Sequence, residues 1–177
     1  MDSQRSLSAC LFHHAQVTPD ASAVAREGEK LTYRELADRV LERAQVLRIS
    51  GVVPTSVVGI ACADDLEHLV LCLAVAQLGA TSCTAPTHES DEHRGAILAK
   101  AGANAMVEAG GSVQRLSSEA TRPKDLALTA PGAKLLFSTS GTTGEPKIVC
   151  HGEAGLVDQA HRHVAAGERF ACLASME

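Results

Sequence analysis

The chain has 177 residues, 45% of them hydrophobic and 21% charged, which is enough apolar material for one good core and excludes a disordered segment. Its net charge is −5, with Lys and Arg scattered and no basic block, so nucleic acid is not an expected partner. Aromatic residues make up 2% and Trp is absent, so the core must be built from Ala, Val, Leu and Ile, without platforms on which bases could stack.

In chain order, Ser6 to Val17 reads as a helix, and Ser22 to Arg26 with Lys30 to Thr32 as a short hairpin around Gly28. Thr32 and Glu35 form a capping-box pattern ahead of Leu36, Val40, Ala44 and Leu47 at helical spacing, which predicts a long amphipathic helix from Tyr33 to Ile49. Gly51 and Pro54 punctuate, and Val57 to Cys62 reads as a buried strand. Leu66 to Leu78 is an almost wholly apolar helix ended by Gly79, and Thr81 to Thr84 a strand stopped by Pro86. Ser90 caps the next helix, with Asp91 and Glu92 in its first turn and its end near Ala101. Ala105 to Val107 reads as a strand, 110–132 as a polar surface linker, Lys134 to Phe137 and Ile148 to Cys150 as strands, Gly152 to Ala166 as a helix and Arg169 to Ser175 as a last strand. Strands alternating with helices predict one α/β domain over 1–177 with a largely parallel, doubly wound sheet, in which ligands bind outside the carboxyl ends of the strands.

The strongest local signal is the run Ser138-Thr139-Ser140-Gly141-Thr142-Thr143-Gly144-Glu145-Pro146-Lys147. Glycines permit close backbone approach, so successive N–H groups can converge on one anion while hydroxyls donate beside them. This is a loop built to hold phosphate. It differs from a Walker A loop, because only two residues separate its glycines and Pro146 disfavours a helix starting there. A strand, loop, strand arrangement is expected instead.

From Thr139 to Lys147 the run resembles, without a mismatch, the phosphate-binding signature of the adenylate-forming superfamily: acyl- and aryl-CoA synthetases, nonribosomal peptide adenylation domains and luciferases. Leu31-Thr32-Tyr33-Arg34-Glu35-Leu36 is similar to that family's first core motif, and Leu73 to Ala80, leading to Pro86, to its second. The order is that of the family, and the resemblance runs along most of the chain. Two departures stand out: Ile148 replaces a common glycine, and Ser138 a common tyrosine.

The resemblance implies a ligase that activates a carboxylic acid with MgATP, giving acyl-AMP and pyrophosphate, then passes the acyl group to the thiol of CoA or of a carrier protein's phosphopantetheine. It makes Thr139, Ser140, Thr142 and Thr143 hydroxyl donors to the ATP phosphates, Gly141 and Gly144 the backbone cradle, and Lys147 the positive charge. His151 follows the loop where the family often has His, which would place it near the nucleotide; a position in the first turn of the next helix is the other reading. No catalytic residue and no metal ligand are assigned. Members of the family are much longer, so the expectation is an N-terminal portion, inactive alone, needing the remainder of the enzyme or a complementary chain. A non-catalytic phosphate-binding module and one half of a split ligase are the alternatives. The terminal apolar strand predicts self-association.

Cys10, Cys62, Cys72, Cys83, Cys150 and Cys172 are far apart with no CxxC pair, and read as free thiols in a reducing compartment. His161 and His163 do not share a helix face, and His88 and His93 lie five apart in an acidic segment, so zinc is not expected. No apolar run approaches the roughly 20 residues of a bilayer span. The opening, with Asp2 and Arg5 before a short Leu7 to Phe12 stretch, lacks a signal-peptide core. A cytoplasmic protein with no membrane partner is the expectation.

Overall fold

The computed structural model describes residues 6–116, 132–139 and 146–163. Helix α1 (Leu7–Val17) leads into the hairpin β1 (Ser22–Arg26) and β2 (Glu29–Thr32), and then helix α2 (Tyr33–Ile49). Alternation follows: β3 (Val57–Ala61), α3 (Asp65–Gln77), β4 (Thr81–Thr84), α4 (Asp91–Ala101) and β5 (Ala105–Glu108). A 3-10 turn at Ala109–Gly111 precedes β6 (Val113–Arg115), and the described chain closes with β7 (Lys134–Thr139), β8 (Lys147–Gly152) and α5 (Glu153–His163).

The main sheet runs β6-β5-β3-β4-β7-β8, parallel at its four central strands and antiparallel at both edges. Alternation along β3 divides the core. Val58 and Ile60 face the cluster of α1, α2 and α3, with Val40, Leu47, Leu71 and Val75 fully buried there. Val57 faces the other cluster, where Ile97, Leu98 and Ala101 of α4 meet Cys83, Ala85 and Leu136. Helices therefore cover both faces, as the α/β pattern requires.

Local signals explain the element ends. Thr32 accepts from the Glu35 N–H while the Glu35 carboxylate accepts from the Thr32 N–H, completing the capping box. These bonds hold the exposed Glu35 carboxyl below its ordinary value, so the cap is present above that range and weakens as pH falls through the lowered value. Gly79 ends α3 at φ 70, a left-handed conformation that favours glycine. Arg26 pairs with Glu29 at 2.7 Å and with Asp64, the N-cap of α3, at 2.5 Å, fixing the small hairpin beside the helices.

The close approach of α4 to β3 depends on Gly59, where an added Cβ would lie 2.2 Å from Leu98 Cδ2. Leu98 is buried and must shift to make room. Gly59→Ala is therefore expected to lose about 1–3 kcal/mol of stability; an unchanged midpoint in urea unfolding would refute the packing account.

The expected linker over 110–132 is corrected at its start. Val113–Arg115 pairs antiparallel with β5, and Arg115 donates to the carbonyls of Ser50 and Gly51. The expected helix from Gly152 begins one residue later, because Gly152 is still paired with Lys134 in the sheet. The expected strand from Arg169 to Ser175 lies outside the described residues.

Candidate phosphate-binding hairpin

β7 and β8 form the expected strand, loop, strand unit. Their register runs from Lys134↔Gly152 at the base to Thr139↔Lys147 at the tip, with the loop between. Of the residues read as phosphate donors, the structure thus brings Thr139 and Lys147 together, opposite one another and both exposed. Ser140, Gly141, Thr142, Thr143 and Gly144 lie outside the described residues. Pro146 is buried and immediately precedes Lys147.

The two hairpin faces are chemically different. Ile148 and Cys150 pack against the cluster of α4, so the isoleucine that replaces the family's glycine serves the core. Strand alternation puts Lys147, Val149 and His151 on the opposite face, and all three are exposed. His151 lies about 13 Å along the strand from Lys147, at 3.3–3.4 Å per residue. Its ring meets Phe137 edge-on, with centroids 5.9 Å apart. It is a strand residue rather than a member of the next helix's first turn.

β7 lies parallel to β4, and β4 to β3, so the loop leaves from the same rim as the carboxyl ends of those strands. A buried histidine secures that rim. His68 is 1% exposed, with Nδ1 3.2 Å from the Cys62 carbonyl after β3 and Nε2 3.4 Å from the Thr84 hydroxyl ending β4. A carbonyl only accepts, so Nδ1 carries the proton and Nε2 accepts from Thr84. One helical turn on, burial pushes the Cys72 thiol up to about 12, while a hydrogen bond with Ser82 acts the other way. The helix face His68, Cys72 thus matches the strand face Thr84, Ser82 in a buried polar seam. Sequence reading missed it; the signal was a lone histidine in an otherwise apolar helix facing a strand of hydroxyls.

Cys10, Cys62, Cys72, Cys83 and Cys150 form no disulfide among the described residues. Burial also raises Cys83 to about 12, with Cys72 adding to the effect, so neither is a ready nucleophile. Among the described residues, no group of three or more His, Cys, Asp or Glu is placed to hold a metal, and no helix is long and apolar enough to cross a membrane.

A model of the AMP-binding enzyme family matches residues 11–137, ending two residues before Thr139. The fold is that of the N-terminal subdomain of adenylate-forming enzymes. It resembles O-succinylbenzoate coenzyme A synthetase (MenE) from Bacillus subtilis in complex with AMP, with TM-score 0.67 at 21% identity over 88% of this chain and 46% of that one. It likewise resembles the NpsA N-terminal subdomain from Klebsiella oxytoca in complex with 3-hydroxyanthranilyl-AMSN, with TM-score 0.66 at 23% identity over 84% of this chain and 40% of that one.

The chain belongs to the AMP-binding enzyme family. Among curated relatives, phosphinothricin tripeptide synthetase PhsB of Streptomyces viridochromogenes is 32% identical over 163 residues, covering 81% of this chain and 14% of the synthetase. Enterobactin synthase component F of Escherichia coli O157:H7 is 26% identical over 171 residues, covering 88% of this chain and 13% of that protein. The chain therefore spans about one seventh of the length of these relatives.

Proposed function

We propose that this chain is the N-terminal, phosphate-gripping part of a ligase that activates a carboxylic acid with MgATP to acyl-AMP and pyrophosphate, then transfers the acyl group to the thiol of CoA or a carrier protein. The observation that carries the reading is the β7–β8 hairpin, with Thr139 opposite Lys147 at its tip on the rim where parallel strands end. The loop sequence between them supplies hydroxyls and glycines suited to a polyphosphate. Its work is positioning and charge stabilisation rather than covalent chemistry. The acid pocket and magnesium ligands are assigned to the complementary remainder of the enzyme.

The chain itself tests the grip. Adding ATP or inorganic pyrophosphate is expected to shift the amide resonances of Thr139 and Lys147 in a saturable way, with Lys147→Ala weakening the response. Resonances at the hairpin tip that stay still at millimolar ligand, while the fold is intact, would reject the assignment. The non-catalytic alternative predicts binding that survives even when the remainder is supplied and no acyl-AMP forms.

A further inference from the structure

The base of the same hairpin holds a carboxylate that the phosphate reading does not use. Glu153, the first residue of α5, is 5% exposed. Its backbone N–H donates to the Ala133 carbonyl just before β7, at 3.2 Å. Its side chain reaches the N-terminus of α1, where Oε1 accepts from the Leu7 N–H at 3.0 Å. Oε2 is buried with no hydrogen-bond partner among the described residues. One residue at the exit from β8 therefore holds α1 through its side chain and the entry to β7 through its backbone.

A helix N-terminus welcomes a carboxylate, because its first N–H groups have no partners in the helix. Here only half of the carboxylate is used. An ionised group with one oxygen sealed from water and unpartnered is costly, whereas a neutral acid in the same place keeps the Leu7 bond on Oε1 and loses most of that penalty. The proton is thus the missing occupant.

We propose that Glu153 is a proton-operated latch between the N-terminus of α1 and the base of the β7–β8 hairpin. Burial, the largest influence, pushes its carboxyl above the ordinary glutamate value, while the Ser6 and Leu7 hydrogen bonds act the other way. Among the described residues the titratable groups around it lie on α1 and at the hairpin base. On α1 the Cys10 thiol is itself raised, first by burial and then by the charge of Glu153. At the hairpin base, Lys134 donates to the Gly132 carbonyl at 3.1 Å, and Cys150 is raised by burial against a lowering by Lys134.

The sign follows from the raised value. A group whose folded pKa exceeds its unfolded one contributes fully below the unfolded value and loses that contribution as pH rises through the folded one. The latch is closed below the raised value and loosens as pH rises through it. The consequence is a link between protonation and how firmly α1 is tied to the strands that carry the phosphate loop. It does not rest on the nucleotide reading.

Amide hydrogen exchange on the full chain, expressed as protection relative to intrinsic rates, tests it over a pH range that starts at the ordinary glutamate value, about 4.3, and extends upward from there. Protection at Leu7 to Cys10 is expected to fall severalfold across that range, and to become flat in Glu153→Gln, which keeps the acceptor for Leu7 but cannot ionise. The wild-type carboxyl carbon shift of Glu153 gives a readout that needs no variant. Titration of that carbon in the ordinary glutamate range overturns the proposal, as does an unchanged protection profile in Glu153→Gln.

Discussion

Replacing Thr142, Thr143 or Lys147 by alanine, in the ligase we propose, is expected to slow acyl-adenylate formation about tenfold to a thousandfold while ATP affinity changes little. The proposed role of the loop is to meet charge as it develops on departing pyrophosphate. Donors that act mainly in the transition state lower kcat when removed, whereas donors that bind ground state and transition state alike raise KM. Lys147 faces outward at the start of β8, opposite Thr139, so its truncation leaves the core contacts of Ile148 and Cys150 in place. Single-turnover measurement of acyl-AMP formation separates the outcomes. An unchanged rate removes the lysine from the grip, and a rise in KM alone would recast the loop as a uniform binder.

His68→Leu is expected to destabilise the fold by about 2–6 kcal/mol, because it strands two buried polar groups whose loss of partners costs about 1–3 kcal/mol each. The Cys62 carbonyl and Thr84 hydroxyl would both lose the ring nitrogen that now faces them. Removing the hydroxyl as well should recover part of the loss, since an absent polar group needs no partner. His68→Leu combined with Thr84→Val is therefore expected to be more stable than His68→Leu alone. Chemical denaturation of the four members of the cycle gives the coupling. Additive effects would show that the ring fills space and that the polar seam contributes nothing of its own.

Much of the architecture was legible because its signals are local. The capping box at Thr32 and Glu35, the Ser90 cap and the glycine after α3 fix helix ends within a few residues of sequence, and the structure places α2 from Tyr33 to Ile49 as the pattern does. β6 was lost in a stretch read as linker because three residues, of which only Val113 is half-buried, carry no measurable alternation. The two strands that flank the proposed loop were legible from their apolar runs. What surrounds them was not. His68 acquires its meaning from Cys62 and Thr84, and Glu153 from Leu7, 146 residues away, so neither environment exists until the sheet has formed. Glu153 in particular reads in sequence as an ordinary acidic residue in a first helical turn, a place where most carboxylates stay wet.

The sheet order also has a consequence for a chain made from its N-terminus. Strands β5, β3 and β4 with helices α2 to α4 are complete before Lys134 is synthesised, whereas β7 must return to the free side of β4, pairing Thr81 with Lys134 and Cys83 with Leu136. During that interval β4 is an open edge, the kind of surface on which nascent chains pair with one another. Its sequence, Thr81-Ser82-Cys83-Thr84, presents small hydroxyl and thiol side chains where a strand destined for the middle of a sheet would ordinarily be rich in Val and Ile. The polar seam that later receives His68 is, in the growing chain, a less adhesive waiting edge.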